Sequence, residues 1–453
     1  MTCIQVEYLW QADGWLGPAW LETDGAGTIV KIYKERPTDK AVDCSFEGAM
    51  LPGFVNAHSH AFQLLMAGMA ERHQPQSNDF WGWRQLMYQA LSQLSPQSLK
   101  TIATTAFQQM LRHGYTHVVE FHYLQRDPKG QWYANETAMA DALVEAATDV
   151  GIGLTLIPVY YHKSSFNQSI EDMQKRFYFA SVDEYEALIQ TLQKKYRSTP
   201  HVIIGSGVHS LRVADEDELE QLLNQPPIPG PVHLHIAEQQ KEVNDCLQHW
   251  GKRPVEWLLE HVTLQNYHNL VHATHLTDQE CADLSASPAT VVICPSTEAN
   301  LGDGIFPFAK YWDQGGRWAI GSDSQIGLCP MEELRWLDYS MRLQKMKRSN
   351  YLIDQTIELG DKLCLSAWQG SYQSAGLGQP LTEGQALNAI TIDLNHYRLI
   401  GRSPEKILST VVFTGDQSMI NRVFQSGKIR YERDDGKDTK GSIPLRSLVN
   451  DLS

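Results

Sequence analysis

The chain has 453 residues, of which 42% are hydrophobic and 20% are charged, and its formal net charge is −15. This length exceeds that of one small domain and suits a barrel of roughly 250–350 residues with a smaller satellite. The ordinary hydrophobic content excludes a disordered chain, and the acidic balance excludes a general nucleic-acid or anionic-membrane surface.

Cysteine usage and the N-terminal segment indicate the compartment. The seven cysteines are odd in number and widely spaced, and no CxxC pair occurs. Neither a disulfide framework nor a thiolate zinc site is therefore expected. The N-terminal segment lacks a basic stretch followed by an apolar core, and no apolar run approaches the length of a membrane span. We expect a reduced, cytoplasmic protein.

Short apolar runs, each followed by a stretch with helical character, dominate the middle of the chain. A helix is indicated at Ser98–His113, after the start signal Ser95-Pro96. Eight strand–helix units in series predict an α/β fold, a (β/α)8 TIM-like barrel over residues 49–380. The predicted strands, rich in Val, Ile and Leu as fully buried strands are, are Ala49–Asn56, Thr116–Phe121, Gly151–Tyr160, Val202–Val208, Pro231–Ile236, Asn269–Ala273, Thr290–Cys294 and Trp318–Gly321.

The two ends of the chain also contain β-like segments. We predict that residues 1–48 and 381–453 pair into one small β-sandwich-like domain beside the barrel. The segments are Cys3–Trp10, Gly27–Tyr33, Asn388–Ile392, Ser409–Phe413 and Val423–Tyr431.

Polar residues cluster where the predicted barrel strands end. His58 and His60 are two residues apart at a strand end, so their imidazoles project to the same side. His235 and Asp323 follow at later strand ends, and the carboxyl ends of barrel strands face one cavity. Three imidazoles and a carboxylate suit a divalent metal with room left for water. A lone HxH pair would be a weak signal, but a set spread over three strands is specific.

Other histidines and carboxylates nearby have two interpretations. His233 shares a strand face with His235 but lies deeper, which favours a packing role. Glu238 is close enough to the end of its strand to reach a bound water, or it is a helix-start residue favoured by the helix dipole. His272 and His275 are either site residues or satisfied barrel histidines.

Four of these motifs resemble the amidohydrolase superfamily, in the branch that deaminates with one metal ion. They are LPGFVNAHSH, HIAEQ, LVHATH and GSDS, spread over residues 49–345. Within that branch the chain resembles formimidoylglutamate deiminases, which release ammonia and N-formyl-L-glutamate from N-formimino-L-glutamate in histidine degradation. The segments that carry this narrower resemblance are His60–Gln63, Phe80–Tyr88, Glu120–Tyr123, His209–Arg212, Glu238–Val243 and Ser296–Pro307.

The resemblance implies roles for individual residues. It implies one divalent metal ion per subunit, typically zinc, and a homodimer. The implied metal ligands are His58, His60, His235 and Asp323, and the implied catalytic residues are Glu238, His272 and Asp323. The implied substrate-binding residues are Gln63, Arg84, Tyr123, His209 and Arg212. The sequence departs from the superfamily at Glu383–Ala389, which lacks the usual glycine-basic-acidic turn, and Ser59 receives no role.

The charge of such a substrate supports two of these assignments independently. N-formimino-L-glutamate carries two carboxylates, so a protein with net charge −15 must hold it with fixed local cations. Arg84 and Arg212 are suitable because a guanidinium grips a carboxylate in bidentate fashion. The alternative for each is a surface arginine paired with a neighbouring acid. Arg84 also lies in a predicted aromatic loop that could equally be a packing cluster.

The mechanistic hypothesis divides proton transfer among three residues. Water, made acidic by the metal, attacks the formimino carbon and gives its proton to Asp323. Glu238 relays a proton to the leaving nitrogen so that ammonia departs, and His272 stabilises the developing charge. Two alternatives stay open. One is a deaminase of the same branch that acts on a guanine-like or other amidine heterocycle. The other is a non-catalytic barrel scaffold, and the complete set of metal ligands argues against it.

Overall fold

A computed structural model describes residues 1–69, 71, 80–352 and 357–433. Before the barrel lie β1 (Thr2–Gln11), β2 (Gly14–Leu16), β3 (Ala19–Thr23), β4 (Ile29–Tyr33) and β5 (Cys44–Pro52). The barrel region contains β6 (Phe54–Ser59), β7 (Tyr115–His122), β8 (Gly153–Tyr160), β9 (Val202–Ile204), β10 (Ser206–Ser210), β11 (Val232–Ile236), β12 (His268–His272), β13 (Thr290–Ile293) and β14 (Arg317–Ile320). The chain then forms β15 (Ala389–Ile392), β16 (Ile420–Gln425) and β17 (Lys428–Glu432).

The helices of the described residues alternate with the barrel strands. They are α1 (Phe80–Leu91), α2 (Pro96–Arg112), α3 (Ala138–Val150), α4 (Val182–Tyr196), α5 (Glu216–Asn224), α6 (Gln240–Trp250), α7 (Pro254–His261), α8 (Asp278–Ala286), α9 (Pro295–Leu301), α10 (Phe308–Asp313), α11 (Pro330–Lys345), α12 (Leu359–Ser374) and α13 (Ile407–Thr414). The predicted helix at Ser98–His113 is confirmed as α2. Ser95 caps it by accepting a hydrogen bond from the Ser98 backbone N–H, and Pro96 occupies its first turn. No described helix has the length and apolarity needed to cross a membrane.

The predicted barrel is confirmed. Its eight parallel strands run in the order β6-β7-β8-β10-β11-β12-β13-β14, and the short β9 pairs with β8. Every residue of β7, β8, β11 and β12 is buried, as expected for a barrel covered by helices. The barrel closes where the chain after β14 meets β6: Asp323 N–H donates to the His58 carbonyl at 2.9 Å, and His60 N–H donates to the Asp323 carbonyl at 3.1 Å.

Both chain ends pair into one mixed sheet, as predicted. Its strand order is β17-β16-β15-β5-β1-β3-β4, with β2 on β1. The β1–β5 pair is parallel and the other pairs are antiparallel. The division at residues 48/49 and 380/381 stays a prediction: β5 runs across residue 49, and residues 434–453 lie outside the described part.

Four predicted β segments differ in the structure. The segment Val423–Tyr431 is the end of β16, a turn at Ser426 and Gly427, and most of β17. The run Ala49–Asn56 is two strands, because the chain passes from the mixed sheet to the barrel at Gly53. A Cβ there would lie 2.2 Å from a methyl carbon of Thr116, so only glycine fits. The run Val202–Val208 is likewise divided, into β9 and the start of β10.

The prediction of a β-like segment at Ser409–Phe413 is wrong, because these residues lie in helix α13. Its β-branched residues favour a strand locally. Ile407, Leu408, Val411 and Val412 instead share one buried face at helical spacing, and packing against α11 and α12 outweighs the local preference.

Candidate active site

The polar residues singled out in the sequence lie at the carboxyl ends of the barrel strands. His58 lies near the end of β6 and His60 directly follows it. His235 lies in β11, His272 ends β12 and Asp323 follows β14. The backbone is left-handed at several of these ends, with φ of +49° at Ala237, +71° at His272 and +46° at Asp323. Non-glycine residues rarely adopt this conformation, and where they do they often serve a site. The turns at these strand ends direct the side chains into one cavity.

Three imidazoles form the centre of the site. The ligand nitrogens of His58, His60 and His235 all lie within 4.8 Å of one another, and Nε2 of His58 is 3.0 Å from Nε2 of His235. Burial lowers the pKa of His60 to about 3 and holds the pKa values of His58 and His235 well below their ordinary range. All three rings are therefore neutral, which is the form that binds metals.

Hydrogen bonds on the far side of two rings fix their tautomers. Nδ1 of His60 lies 2.8 Å from the Phe121 carbonyl oxygen, and Nδ1 of His235 lies 3.0 Å from the His209 carbonyl oxygen. A carbonyl oxygen only accepts, so each Nδ1 carries the hydrogen and each Nε2 turns a lone pair toward the centre. Such a set of convergent donors fits a divalent cation such as Zn²⁺.

Asp323 completes this side of the cluster. Its Oδ1 lies 3.3 Å from Nε2 of His60 and 3.7 Å from Nε2 of His58. Burial raises the pKa of Asp323 to about 7, against the opposing effect of the charge on His272. A carboxylate poised near neutral pH is suited to accept a proton from water.

His272 lies among three carboxylates. Its Nε2 is 3.7 Å from both Glu238 and Asp323, and its Nδ1 is 3.2 Å from Oε1 of Glu298. Burial lowers the pKa of His272, but the charge of Glu238, the hydrogen bond to Glu298 and the charge of Asp323 together raise it to about 10. His272 is therefore a cation held inside the site.

Glu238 is oriented by its own turn. The backbone N–H groups of Ala237 and Glu238 donate to the two oxygens of Glu242, at 3.3 and 3.1 Å. This fixes the start of α6 and leaves the Glu238 carboxylate facing His272. Glu238 therefore faces the cavity. A glutamate whose only role was to stabilise the start of α6 would have no reason to face it.

The cavity beside the cluster contains all the predicted substrate-binding residues. Gln63 donates from Nε2 to the Tyr123 hydroxyl at 3.3 Å, and the His209 ring packs against Tyr123 with centroids 5.4 Å apart. His233, in contrast, lies deeper in the barrel, with Nε2 2.9 Å from the Ser374 carbonyl oxygen. The lining residues are His60, Gln63, Trp83, Arg84, Met87, Tyr88, Tyr123, Tyr161, Phe177, His209, Arg212, His235, Glu238, His272, Leu301 and Asp323.

Two arginines reach this cavity from opposite elements. Arg84 lies on α1 rather than in the predicted loop, and its Nε donates to the Tyr88 hydroxyl at 2.6 Å. The side chains of Phe80 and Trp81, predicted to belong to the same aromatic cluster, lie outside the described residues. Arg212 follows β10 and is 6% exposed, and the nearest acid is Glu242 at 3.8 Å. Its Nε has no hydrogen-bond partner within the described residues.

Several residues that shape the site were missed in the sequence. Glu298 was quoted only within a resembling segment, yet it holds Nδ1 of His272. Ser59 received no role, yet its hydroxyl donates to Glu120 at 2.7 Å and accepts from Gln325 at 2.9 Å. Glu120 carried one usable signal, an acidic residue inside an apolar stretch, where an unpaired charge is costly. Glu298 carried none, because its neighbours in the sequence are mostly polar.

Comparison with known proteins identifies the family. The sequence model of the Amidohydrolase family matches residues 49–430 of this chain. The chain belongs to the amidohydrolase family. Formimidoylglutamate deiminase of Pseudomonas aeruginosa is 38% identical to this amidohydrolase over 456 residues, which cover 100% of the chain and 99% of the relative.

Solved structures agree with the fold of this amidohydrolase. The crystal structure of an amidohydrolase from Brucella melitensis superposes with a TM-score of 0.89 at 33% identity, covering 100% of this chain and 98% of that one. An adenosine deaminase from Xanthomonas campestris with bound zinc has a TM-score of 0.78 at 20% identity, covering 100% and 96%. At that lower identity the likeness concerns the fold alone. Membership of the amidohydrolase family makes the chain a metal-dependent hydrolase that acts on C–N bonds.

Proposed function

We propose that this amidohydrolase hydrolyses N-formimino-L-glutamate to N-formyl-L-glutamate and ammonia. The observation that carries the proposal is Arg212, a buried guanidinium that lines the same cavity as the histidine cluster. Within the described residues its Nε lacks a hydrogen-bond partner, and Glu242 at 3.8 Å is too distant for one. A buried cation without hydrogen bonds is costly, and a substrate carboxylate would satisfy it.

Arg84 supplies the second positive charge that a dianion needs. It lines the same cavity as Arg212, and its Nε donates a hydrogen bond to the Tyr88 hydroxyl. The pKa of Arg84 is raised above its usual value: burial acts to lower it, and the neighbouring Tyr161, Tyr88 and Glu171 outweigh burial. Two fixed guanidiniums in a protein of net charge −15 favour a small dianionic substrate. The full-length relative named as a formimidoylglutamate deiminase supports the same choice.

The proposed metal site consists of His58, His60, His235 and Asp323. The neutral rings and the adjacent carboxylate suit one Zn²⁺ per chain, and a zinc-containing relative of the same fold supports that ion. When bound, the ion supplies an acidic water and a Lewis acid. Elemental analysis of the purified active enzyme should find about one divalent ion per chain, and full activity without metal would contradict this site.

The chain's own residues would move the protons. Asp323 accepts a proton from the attacking water as the formimino carbon becomes tetrahedral. The terminal nitrogen gains two protons, one that Asp323 took from the water and one from the hydroxyl of the tetrahedral carbon. Glu238 relays these protons, the C–N bond breaks, ammonia leaves, and the C–O bond becomes the carbonyl of the N-formyl group. The His272 cation stabilises the negative charge that develops on the attacking oxygen.

A second candidate is deamination of an amidine heterocycle. The aromatic lining favours it, since Trp83, Tyr88, Tyr123, Tyr161 and Phe177 all face the cavity and aromatic rings stack on heterocycles. Ammonia release from formiminoglutamate, guanine and cytosine separates the two. We expect turnover of formiminoglutamate alone. Preference for a neutral heterocycle would contradict the proposed substrate and leave the metal-dependent hydrolase unchanged.

A further inference from the structure

Helix α11 carries apolar residues on two opposite faces. Its inner face is buried in the molecule through Met331, Leu334, Leu337 and Met341. On the outer face Trp336 is 43% exposed, Tyr339 37% and Leu343 75%, and the C-cap residue Met346 is 90% exposed. A surface helix ordinarily has one apolar stripe and a polar outer side. A second apolar stripe indicates that another surface covers α11.

The spacing of the apolar residues on the outer face of α11 indicates what kind of partner surface packs against it. Glu332, Trp336, Tyr339 and Leu343 follow one another in steps of four, three and four residues within α11. Met346, in the left-handed conformation at the C-cap, ends the helix directly after them. This alternation is the repeat of helix pairs that pack knobs into holes, in which the contact residues recur every 3.5 positions. The outer face of α11 is therefore shaped for another helix.

The charges along α11 specify the direction of that helix. Glu332 lies in the first turn, and Lys345, Lys347 and Arg348 lie at or beyond the last turn. Within the described part of the chain, neither Glu332 nor Lys347 takes part in an ion pair. An acidic start and a basic end are complementary to the same helix running in the opposite direction, whereas a parallel copy would place like charges together.

We propose that the outer face of α11 is the interface between two copies of this chain, related by a two-fold axis that makes the two α11 helices antiparallel. With Tyr339 nearest the axis, Trp336 packs against Leu343 of the partner subunit. Glu332 then lies at the basic end of the partner's helix, near Lys347 of the partner subunit, which follows the C-cap. The same patch serves both copies, so the contact closes at a dimer. The proposal does not depend on the substrate.

The first test measures the dimer dissociation constant by sedimentation equilibrium. Leu343→Glu and Trp336→Glu should each raise it by at least about 10-fold, because buried aromatic and aliphatic anchors dominate such interfaces. Leu247→Glu is the matched control, an exposed apolar residue (48%) on a different helix, α6, and should leave it unchanged. Unchanged circular dichroism and activity of the α11 variants would show that the fold survives.

The second test exchanges the charges. Glu332→Lys and Lys347→Glu should each weaken the dimer, and the double variant should restore it to within a few-fold of the parent. A chain that stays monomeric at about 100 µM, or a dimer unaffected by the α11 variants, would overturn the proposal and assign the face to a different partner. Failure of the double variant to recover would overturn the antiparallel arrangement.

Discussion

Glu238 and Glu298 approach the His272 imidazole at different nitrogens, Nε2 and Nδ1. The neighbouring carboxylates outweigh the effect of burial and raise the pKa of His272 to about 10. The same burial acts without such compensation on the three clustered imidazoles and keeps them neutral. The local arrangement thus separates histidines that offer lone pairs from the one that offers a proton, a distinction that residue type alone does not contain.

Replacing Glu238 tests its proposed proton transfer. Glu238→Gln keeps the size of the side chain but cannot exchange a proton, so kcat should fall by at least about 10²-fold. The metal content should not change, because Glu238 lies near His272 and is not part of the histidine cluster. Glu145→Gln, the same change at an exposed carboxylate of α3, is the control. Turnover within a few-fold of the parent would reduce Glu238 to a helix-start residue.

Glu333 connects burial to the pH dependence of stability. It is fully buried and its two oxygens accept from the Ser296 hydroxyl and backbone N–H, at 2.6 and 2.9 Å. Burial raises its pKa to about 8, although the hydrogen bonds from Ser296 oppose this. In the unfolded chain the pKa of a glutamate is about 4.3. Between these values the folded state binds more protons, so its stability falls as pH rises.

Glu333→Gln should therefore flatten the pH profile of stability. The parent's free energy of unfolding should fall from about pH 5 to about pH 8 by more than that of the variant, because an amide does not ionise. Urea unfolding at both pH values gives the comparison, with Asp217→Asn on the surface as control. An identical difference between parent and variant at both pH values would contradict the raised pKa of Glu333.

At the scale of the element, the critical contact is the closure between β6 and the chain after β14. Gln325 donates from Nε2 to the Ser59 hydroxyl and to the Asp323 carbonyl, both at 2.9 Å, and accepts from the Ser322 hydroxyl at 2.8 Å. Ser59 in turn donates to Glu120 at 2.7 Å. This buried network lies behind the clustered histidines His58 and His60 and holds Asp323 in register with β6.

Gln325→Leu should weaken metal binding by about 10- to 100-fold, since residues that orient the ligands contribute to affinity on this scale. Competition with a chromophoric chelator measures the dissociation constant. Gln373→Leu is the control, because that side chain bonds at the opposite end of the barrel, to Asn266 and Thr290. Equal metal affinity in parent and Gln325→Leu would show that the backbone bonds alone position Asp323.

Some features of these elements could be predicted from the sequence and others could not. Strand ends carrying His58, His60, His235 and Asp323 were predictable, because a buried run followed by polar residues is a local pattern. The Ser59–Gln325 contact was not, since it joins residues 266 positions apart through a closure that only the folded barrel creates. Helix α13 was missed because its β-branched residues resemble a strand until its neighbours are known.

At the scale of the whole molecule, a surplus of negative charge surrounds a cavity with two arginines. The formal charge of −15 predicted that any anionic substrate must meet fixed cations, and Arg84 and Arg212 line one cavity. The sequence could not show that Arg84 lies on a helix, or that Nε of the buried Arg212 has no hydrogen-bond partner among the described residues. Those facts depend on how the barrel brings distant elements together.

The most direct test of the account removes one charge from the enzyme and one from the substrate. Arg212→Met should lower kcat/KM for formiminoglutamate. The ratio of kcat/KM between parent and variant should correspond to about 2–4 kcal/mol of lost transition-state stabilisation, the usual cost of losing one partner of a desolvated charge pair. With the parent enzyme, an analogue lacking the carboxylate that Arg212 holds should show a similar loss of kcat/KM relative to formiminoglutamate. With the Arg212→Met variant, removing that carboxylate should lower kcat/KM little further. Additive losses for every carboxylate removed, or a variant that turns over formiminoglutamate normally, would contradict the account.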